Sequence, residues 1–368
     1  QQFQFISMAL VVVLGAGVIG LTTALELKRS NAKLDITIVA DHLPGDIDHT
    51  YTSPFAGANW HSFATPEDKR LQEIDKPGYK KFLQLAAADP RSGIWAVDNL
   101  SMYTDYEVTS NNGNYRKFVP WFKDFVDGFE IVDKLKLPEG IAFAHKFKGV
   151  VISVHTYLNY LVQQNKEIGN VIKRIPQIHH IEDARKFHSS GKKADYVINA
   201  AGLNASKIKG VEDKKFNFPV RGQVLLVKNN AKIQLGVEGF PGLPNEMLYI
   251  MPRKEGGTII GGCFLEGNTS VSEDKELTAR IIKRAIKYAP ELVDPNYKNN
   301  PSKIEIVKVN VGFRPFREDG ARVEVDKKYK WLIHNYGAGA GGYQGSFGLS
   351  KLVVDIMEKE LSKFKSKL

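Results

Sequence analysis

Residues 10–20 read LVVVLGAGVIG, and this stretch decides the fold. Residues 10–14 form a short β-branched run, suited to a central parallel strand buried on both faces. Gly15-Ala16-Gly17-Val18-Ile19-Gly20 follows at once and matches G-x-G-x-x-G. In that pattern Gly15 permits the tight strand-to-helix turn, and Gly17 lets a pyrophosphate approach the backbone with no Cβ in the way. Gly20 lets the helix pack closely on the strand. Free N–H groups at the helix start, with the helix dipole, would hold the phosphates. The helix is predicted to reach about Ser30, with Val18, Leu21 and Leu25 on one face. A second strand is predicted over residues 35–40 (DITIVA). Asp41 closes it about 20 residues after the last glycine, where an acid accepts hydrogen bonds from an adenosine ribose. A glycine triplet alone is a common turn. Strand, triplet, helix, strand and acid in this order predict a dinucleotide site. The motif does not choose between NAD and FAD, so a nicotinamide-dependent dehydrogenase or a non-catalytic dinucleotide-binding protein stays open at this point.

The remaining composition narrows the field. The chain has 368 residues, 43% apolar and 25% charged, which excludes a disordered, collagen-like or coiled-coil protein and suggests two domains or one large one. One cysteine, Cys263, excludes an internal disulfide and a cysteine-based zinc site, and points to a reducing compartment. A net charge of +10 invites a nucleic-acid or membrane partner. The lysines, however, are scattered among acids, and no zinc-finger, basic-zipper or RNA-binding signature accompanies them. The expectation is a solvated basic surface, with no nucleic-acid and no membrane partner. Residues 8–25 run for 18 positions without a charge, yet three glycines interrupt them and Glu26-Leu27-Lys28-Arg29 ends them. A strand running into a helix explains this better than a membrane span. A signal peptide would need a basic start, which is missing. The residues before Met8 read as a non-native or alternative start and carry no weight. None of the nine histidines sits in a metal or nucleophile pattern, so no metal is expected.

After the second strand the regular alternation stops. Residues 49–63, HTYTSPFAGANWHSF, are rich in small, hydroxyl and aromatic side chains, as in a ligand-wrapping loop; a plain surface loop is the alternative. Here the chain begins to resemble the D-amino-acid oxidase family, its yeast members in particular. Residues 52–60 (TSPFAGANW), 195–203 (DYVINAAGL), 221–223 (RGQ, at the start of the substrate-domain sheet), 311–315 (VGFRP) and 334–344 (HNYGAGAGGYQ) carry the likeness, which runs from about Met8 to the C-terminus. The resemblance implies an α/β fold: a Rossmann-like FAD-binding domain from residues 8–64, 150–215 and 306–368, and a mostly antiparallel substrate-binding domain from 65–149 and 216–305. Strand-like runs at residues 224–227, 249–252 and 258–264 agree with the second. Residues 228–248, between two of them, are long enough for an active-site lid.

The family's roles carry over position by position. Besides Gly15–Gly20, the resemblance assigns Ala40 and Asp41, Thr52 and Ser53, and Gly57, Ala58 and Asn59 to FAD. It adds Ile178, Ala201 and Gly202. The loop Gly339, Ala340, Gly341, Gly342, Tyr343 and Gln344 should run along the flavin, Ala340 standing where some members have serine. The helix after it shows Leu349, Leu352, Val353, Ile356 and Leu361 on one face. Its N-terminus should point at the flavin's pyrimidine edge and stabilise developing negative charge there. Arg314 matches the arginine that pairs with the substrate α-carboxylate, for which a guanidinium fork suits a planar partner. A structural ion pair is the alternative. Tyr249 matches a tyrosine reaching the same carboxylate, although an aromatic in a strand is otherwise a core residue. Phe264 replaces a second tyrosine of the family and walls the pocket without donating a hydrogen bond. Cys263 beside it should face the other side of its strand and pack as a small hydrophobe. Gln344 and Phe63 are expected to border the substrate. His61 makes either a local hydrogen bond or, as a cation, a site favouring an acidic D-amino acid.

The implied reaction is oxidative deamination of neutral D-amino acids. Hydride leaves Cα for flavin N5, the imino acid hydrolyses to a 2-oxo acid and ammonia, and O₂ becomes H₂O₂. No protein base is needed, because orientation does the work. D-Aspartate oxidase activity on acidic substrates is the near alternative. The final Ser366-Lys367-Leu368 reads as an address for the peroxisomal import receptor, on a tail whose Lys363, Lys365 and Lys367 keep it accessible. A frayed basic helix end is the plain alternative. The yeast likeness also implies a homodimer.

Overall fold

The computed structural model describes residues 8–294, 296 and 303–365, so the terminal Ser366-Lys367-Leu368 lies outside the described residues. Along the chain run β1 (Leu10–Leu14), α1 (Val18–Ser30), β2 (Asp35–Ala40), β3 (Ala58–Asn59), α2 (Lys69–Ala88), β4 (Ile94–Thr104), α3 (Asp105–Ser110), β5 (Glu130–Ile131), β6 (Ile141–Ile152) and α4 (Val154–Glu167). There follow β7 (Val171–Arg174), β8 (Tyr196–Asn199), β9 (Asn217–Val227), β10 (Gln234–Glu238), β11 (Glu246–Pro252), β12 (Thr258–Cys263) and β13 (Leu265–Glu266). The chain ends with α5 (Lys275–Tyr288), β14 (Ile306–Arg317), β15 (Arg322–Val325), β16 (Leu332–Tyr336) and α6 (Ser346–Lys365).

The chain divides into two units by its contacts. The first takes the residues up to Pro54, Leu158–Phe218 and those from Pro315 on. Its sheet has the order β15-β16-β8-β1-β2-β7, parallel throughout except for the β15–β16 pair. Val11, Val12 and Val13 are fully buried at its centre, as expected of a strand covered on both faces. α1 begins at Gly17, whose backbone is extended, and stops at Asn31, with Lys28 and Arg29 in its last turn to complement the dipole. Leu21, Leu25 and Leu27 are buried along it, each contributing about 1.5–3 kcal/mol. α6 packs against α1, burying Phe347, Leu349, Val353 and Met357. Leu352, Ile356 and Leu361 are only half-buried, so the buried stripe is turned from the one read in the sequence. Buried hydroxyls fix the two helices: Thr23 Oγ1 lies 3.1 Å from Ser350 Oγ and accepts from Asn335 Nδ2 at 3.0 Å.

The second unit comprises Phe55–Tyr157 and Pro219–Arg314. Its sheet has the order β13-β9-β12-β11-β10-β4-β6-β3, with β14 also pairing with β9 and β5 with β6. The β10–β4 pair is parallel, whereas β9–β12, β12–β11, β11–β10 and β4–β6 are antiparallel. One face carries Leu225, Val227, Leu235, Val237, Leu248, Ile250 and Ile260 into a core closed by Leu277, Ile281 and Ala285 of α5. α5 starts where the Asp274 carboxylate accepts from Leu277 N–H at 2.9 Å.

Two sequence expectations meet a different arrangement here. Residues 228–248, read as lid-length, contain β10, which lies between β4 and β11 and buries Leu235 and Val237. A segment paired on both sides is sheet interior and does not swing as a lid. The division by contacts also differs from the one read in the sequence: residues 55–64, 150–157 and 306–314 group with the second unit, and 216–218 with the first. Pairing supplies the reason for the first two, since Ala58 and Asn59 of β3 lie opposite Ile152 and Val151 of β6.

Candidate functional site

In the first unit the residues after β1 build a narrow crevice. Gly15 has φ +115°, and a Cβ there would lie 2.3 Å from the Ala200 carbonyl oxygen. A Cβ on Gly20 would lie 2.0 Å from the Gly15 oxygen, so only glycine lets α1 sit this close to the strand end. Gly17 caps the helix with no side-chain hydrogen bond, and no acid occupies the first turn. The positive end of the dipole is therefore left uncompensated by the helix itself. Val18 N–H donates to Ser53 Oγ at 3.0 Å, Tyr343 Oη donates to the Ser53 carbonyl at 2.9 Å, and Tyr51 Oη donates to the Ala16 carbonyl at 2.8 Å. A Cβ on Gly342 would touch Val18 Cγ1 at 4.0 Å. Ala16 before the helix, Val18 and Ile19 in its first turn, Ser53, and Gly342 with Tyr343 are thus brought together where β1 ends, and the turn at Ala201 adjoins Gly15. Ala40 is buried at the end of β2, and Asp41 follows it, partly exposed, its Oδ1 accepting from His42 N–H at 3.0 Å.

The loop of Gly339, Ala340 and Gly341 makes one tight turn before Gln344, which is buried, and α6. At the start of α6 the Ser346 hydroxyl is buried with no partner. Gly202 adopts a left-handed turn after β8, and Thr52 is partly exposed beside Ser53. Ile178, assigned to the cofactor by resemblance, packs on the cluster around Val12 and Val39. Glycines at the close approaches, a helix start with no acid in its first turn and a carboxylate beyond β2 form a donor and acceptor set that fits a dinucleotide. Gly57, Ala58 and Asn59 belong to the second unit, where a Cβ on Gly57 would stand 2.8 Å from Ile259 Cγ2.

Arg314, Tyr249 and Phe264 meet in the second unit. The Arg314 guanidinium lies 3.9 Å above the centre of the Phe264 ring, and its Nη1 donates to the Cys263 carbonyl at 3.0 Å. Gly222 lies against it: a Cβ there would be 2.8 Å from both terminal nitrogens. Among the described residues no carboxylate pairs with it. The Tyr249 hydroxyl faces Arg314, and burial raises its pKa, so it is a neutral phenol at pH 7. Gly261 and Gly262 leave room for that ring, since a Cβ on either would come within 2.8 Å of its carbons. Cys263 turns into the core against Leu225 and Ile260, where burial pushes its thiol pKa up. The cluster offers a cation, a neutral donor and an aromatic wall.

His61 is held rigidly by its neighbours. Trp60 Nε1 donates to the Asp75 carbonyl at 2.9 Å, Ser62 Oγ donates to the Asp75 carboxylate at 2.7 Å, and Trp121 Nε1 donates to Ser62 Oγ at 2.9 Å. The His61 ring lies among Phe63, Phe122 and Phe147, with Nε2 3.4 Å from Ser101 Oγ. Desolvation among these rings lowers its pKa to about 4. The imidazole is therefore neutral at pH 7, which corrects the sequence-based option of a cation recruiting an acidic substrate. Phe63 is 51% exposed, at the outer side of this group.

The family model described as "FAD dependent oxidoreductase" matches residues 11–356. The chain belongs to this family. The D-amino-acid oxidase of Fusarium vanettenii is 34% identical over 366 residues, covering 97% of this chain and 99% of the relative. The D-aspartate oxidase of Talaromyces thermophilus is 28% identical over 380 residues, covering 97% and 98%. Glycine oxidase from Bacillus cereus has the same fold, with a TM-score of 0.73 at 18% identity over 96% of this chain and 95% of that one. Membership makes FAD the cofactor and the Rossmann-like unit with its companion sheet the family's architecture. Among the described residues no helix is long and apolar enough to cross a membrane, and no cluster of His, Cys, Asp and Glu could hold a metal.

Several site residues escaped the sequence reading. Gly222 was visible inside Arg221-Gly222-Gln223, but its closeness to Arg314 comes from pairing between distant strands. Tyr51 lay within the quoted loop as one aromatic among several. Ser101 and the neutral state of His61 had no sequence signal, because both depend on which strands lie side by side.

Proposed function

We propose that this chain catalyses the FAD-dependent oxidation of uncharged D-amino acids, releasing an imino acid that hydrolyses to a 2-oxo acid and ammonia, with O₂ reduced to H₂O₂. The observation that carries the reading is the Arg314 cluster: a guanidinium with no carboxylate partner among the described residues, backed by Gly222 and Phe264 and joined by the neutral Tyr249 hydroxyl. A substrate α-carboxylate fits there as the missing partner, accepting from Arg314 and Tyr249. The Rossmann-like unit is the FAD-binding domain, with Gly15–Gly20 at the pyrophosphate, Asp41 at the ribose, and Ser53 and Gly339–Gln344 along the rest of the molecule. Bound FAD supplies the two-electron acceptor for the Cα hydride and the reductant for O₂. The chain's own part is to fix the carboxylate, aim Cα–H, and exclude competing charge. No acid or base from the protein is required, provided the amine is held neutral.

The neutral His61 favours uncharged over acidic side chains, which weighs against the D-aspartate oxidase reading. Two measurements test the proposal. The purified protein should show flavin absorption bands; a colourless protein that takes up no FAD overturns it. Peroxide release should be faster with D-alanine or D-methionine than with D-aspartate, and a clear preference for D-aspartate would assign the acidic activity instead. Ser366-Lys367-Leu368 supports peroxisomal import, to be tested by whether removing the tripeptide leaves a fluorescent fusion in the cytosol. Homodimerisation rests on the resemblance to yeast oxidases, and sedimentation at a single monomer mass would refute it.

A further inference from the structure

The strand register of the second unit puts four side-chain positions in one line. Tyr249 lies opposite Gly236, Gly236 opposite Ser101, and Ser101 opposite His145, across β11, β10, β4 and β6. Residues opposite one another point to the same face of a sheet, and this is the face away from α5. In the next row Gln234 lies opposite Asn99. Tyr249 and Ser101 are thus two strand spacings apart, ~10 Å.

Between them the surface dips. Gly236 is partly exposed in the middle of the sheet, and a Cβ there would find only the Leu248 carbonyl, at 4.0 Å. The gap starts at the Arg314–Tyr249 pair and ends at polar groups. Ser101 Oγ donates to Asn99 Oδ1 at 3.1 Å and lies 3.4 Å from His61 Nε2, so its proton is spent and one lone pair is left for a further donor. Gln234 Oε1, 3.1 Å from where a Cβ on Gly149 of β6 would stand, is buried with no partner among the described residues, a second acceptor without a donor. A buried acceptor left alone is destabilising, so a donor belongs there. Burial, with neighbouring Glu107 as a lesser cause, raises the pKa of Glu238, two residues along the same face of β10, to about 7. No cation on this face answers a second carboxylate among the described residues of these rows.

We propose that a substrate side chain lies over Gly236 and donates a hydrogen bond to Ser101, with Gln234 as the deeper acceptor, so that the preferred substrates are D-amino acids ending in a side-chain amide. The inference rests on the oxidase reading above and names its substrate class. A primary amide supplies the N–H that two acceptors need, whereas the isosteric carboxylate presents only acceptors and a charge. Discrimination by unpaired polar groups exceeds what an apolar pocket gives through one missing methylene.

The test is steady-state peroxide release by the FAD-loaded enzyme with D-alanine, D-methionine, D-asparagine, D-glutamine, D-aspartate and D-glutamate. At least one amide substrate should exceed its isosteric acid in kcat/KM by more than tenfold. Ser101→Ala should lower kcat/KM for that amide about tenfold more than for D-alanine or D-methionine, mainly through KM. Gly236→Leu, with Gly236→Ala as the milder variant, should penalise D-glutamine and D-methionine and spare D-alanine. Equal losses for all substrates, no change for the amide in Ser101→Ala, or an acid that outperforms its amide overturns the proposal. In those cases D-alanine turnover still upholds the oxidase reading; peroxide from no D-amino acid overturns both.

Discussion

Arg314→Ala is expected to keep the flavin bound and lose nearly all turnover. Removing one partner of a buried, hydrogen-bonded ion pair costs about 3–5 kcal/mol, which is two to more than three powers of ten in kcat/KM. The substrate carboxylate would then face Phe264 and Tyr249 with no countercharge. Arg314→Lys should recover only part of the loss, because an ammonium keeps the charge but not the fork or the stacking on Phe264. Tyr249→Phe removes one neutral donor and should cost about tenfold. Gly222→Val tests the same site from behind. Its side chain would start 2.8 Å from the guanidinium nitrogens and push the fork off the Cys263 carbonyl. This variant should resemble Arg314→Ala in activity while retaining the arginine. Flavin absorbance and thermal stability are the controls. Activity within a few-fold of wild type in Arg314→Ala would remove the carboxylate-clamp role.

How much was legible in the sequence follows from how far apart in the chain the interacting residues lie. β1, α1 and β2 were readable to within a residue because each rests on local signals: β-branched residues, glycine spacing, helix periodicity. Arg314 and Tyr249 carried a resemblance but no geometry. Residues 228–248 show the limit plainly. Lysine, asparagine, glycine and proline at both ends look like a loop, and the five residues of β10 between them are too short to show a period. Only pairing with β4, more than a hundred residues earlier in the chain, makes them a strand. Gly236 therefore looked like a loop glycine and is a gap in a sheet. His61 failed for a related reason. Its charge depends on Phe122 and Phe147, brought from other elements, and a titration state cannot be read before those neighbours are known.

The same physics gives the second large effect, at His145. This side chain is fully buried, both its ring nitrogens lack partners among the described residues, and Tyr103, Phe129, Phe143 and Phe147 surround it. Burial lowers its pKa to about 3, with His61 as a lesser cause. In the unfolded chain it titrates near the ordinary 6.5. Between these values the unfolded state binds a proton that the folded state refuses. Stability is therefore complete above pH 6.5 and falls as the pH drops toward 3, by up to about 1.4 kcal/mol per unit. His61 has the same sign over the shorter window from 6.5 to about 4. Thermal melts followed between pH 7.5 and 4.5 should show a steep acid loss. His145→Phe should flatten it, because phenyl takes up no proton and suits the surrounding rings. At pH 7 that variant should also melt several degrees higher, since two unpaired buried nitrogens at about 1–3 kcal/mol each are removed. An unchanged acid slope would mean that His145 is protonated without opening the fold. A lower melting temperature at pH 7 would mean that ordered water satisfies the imidazole, making the histidine a structural hydrogen-bonding centre of this sheet face.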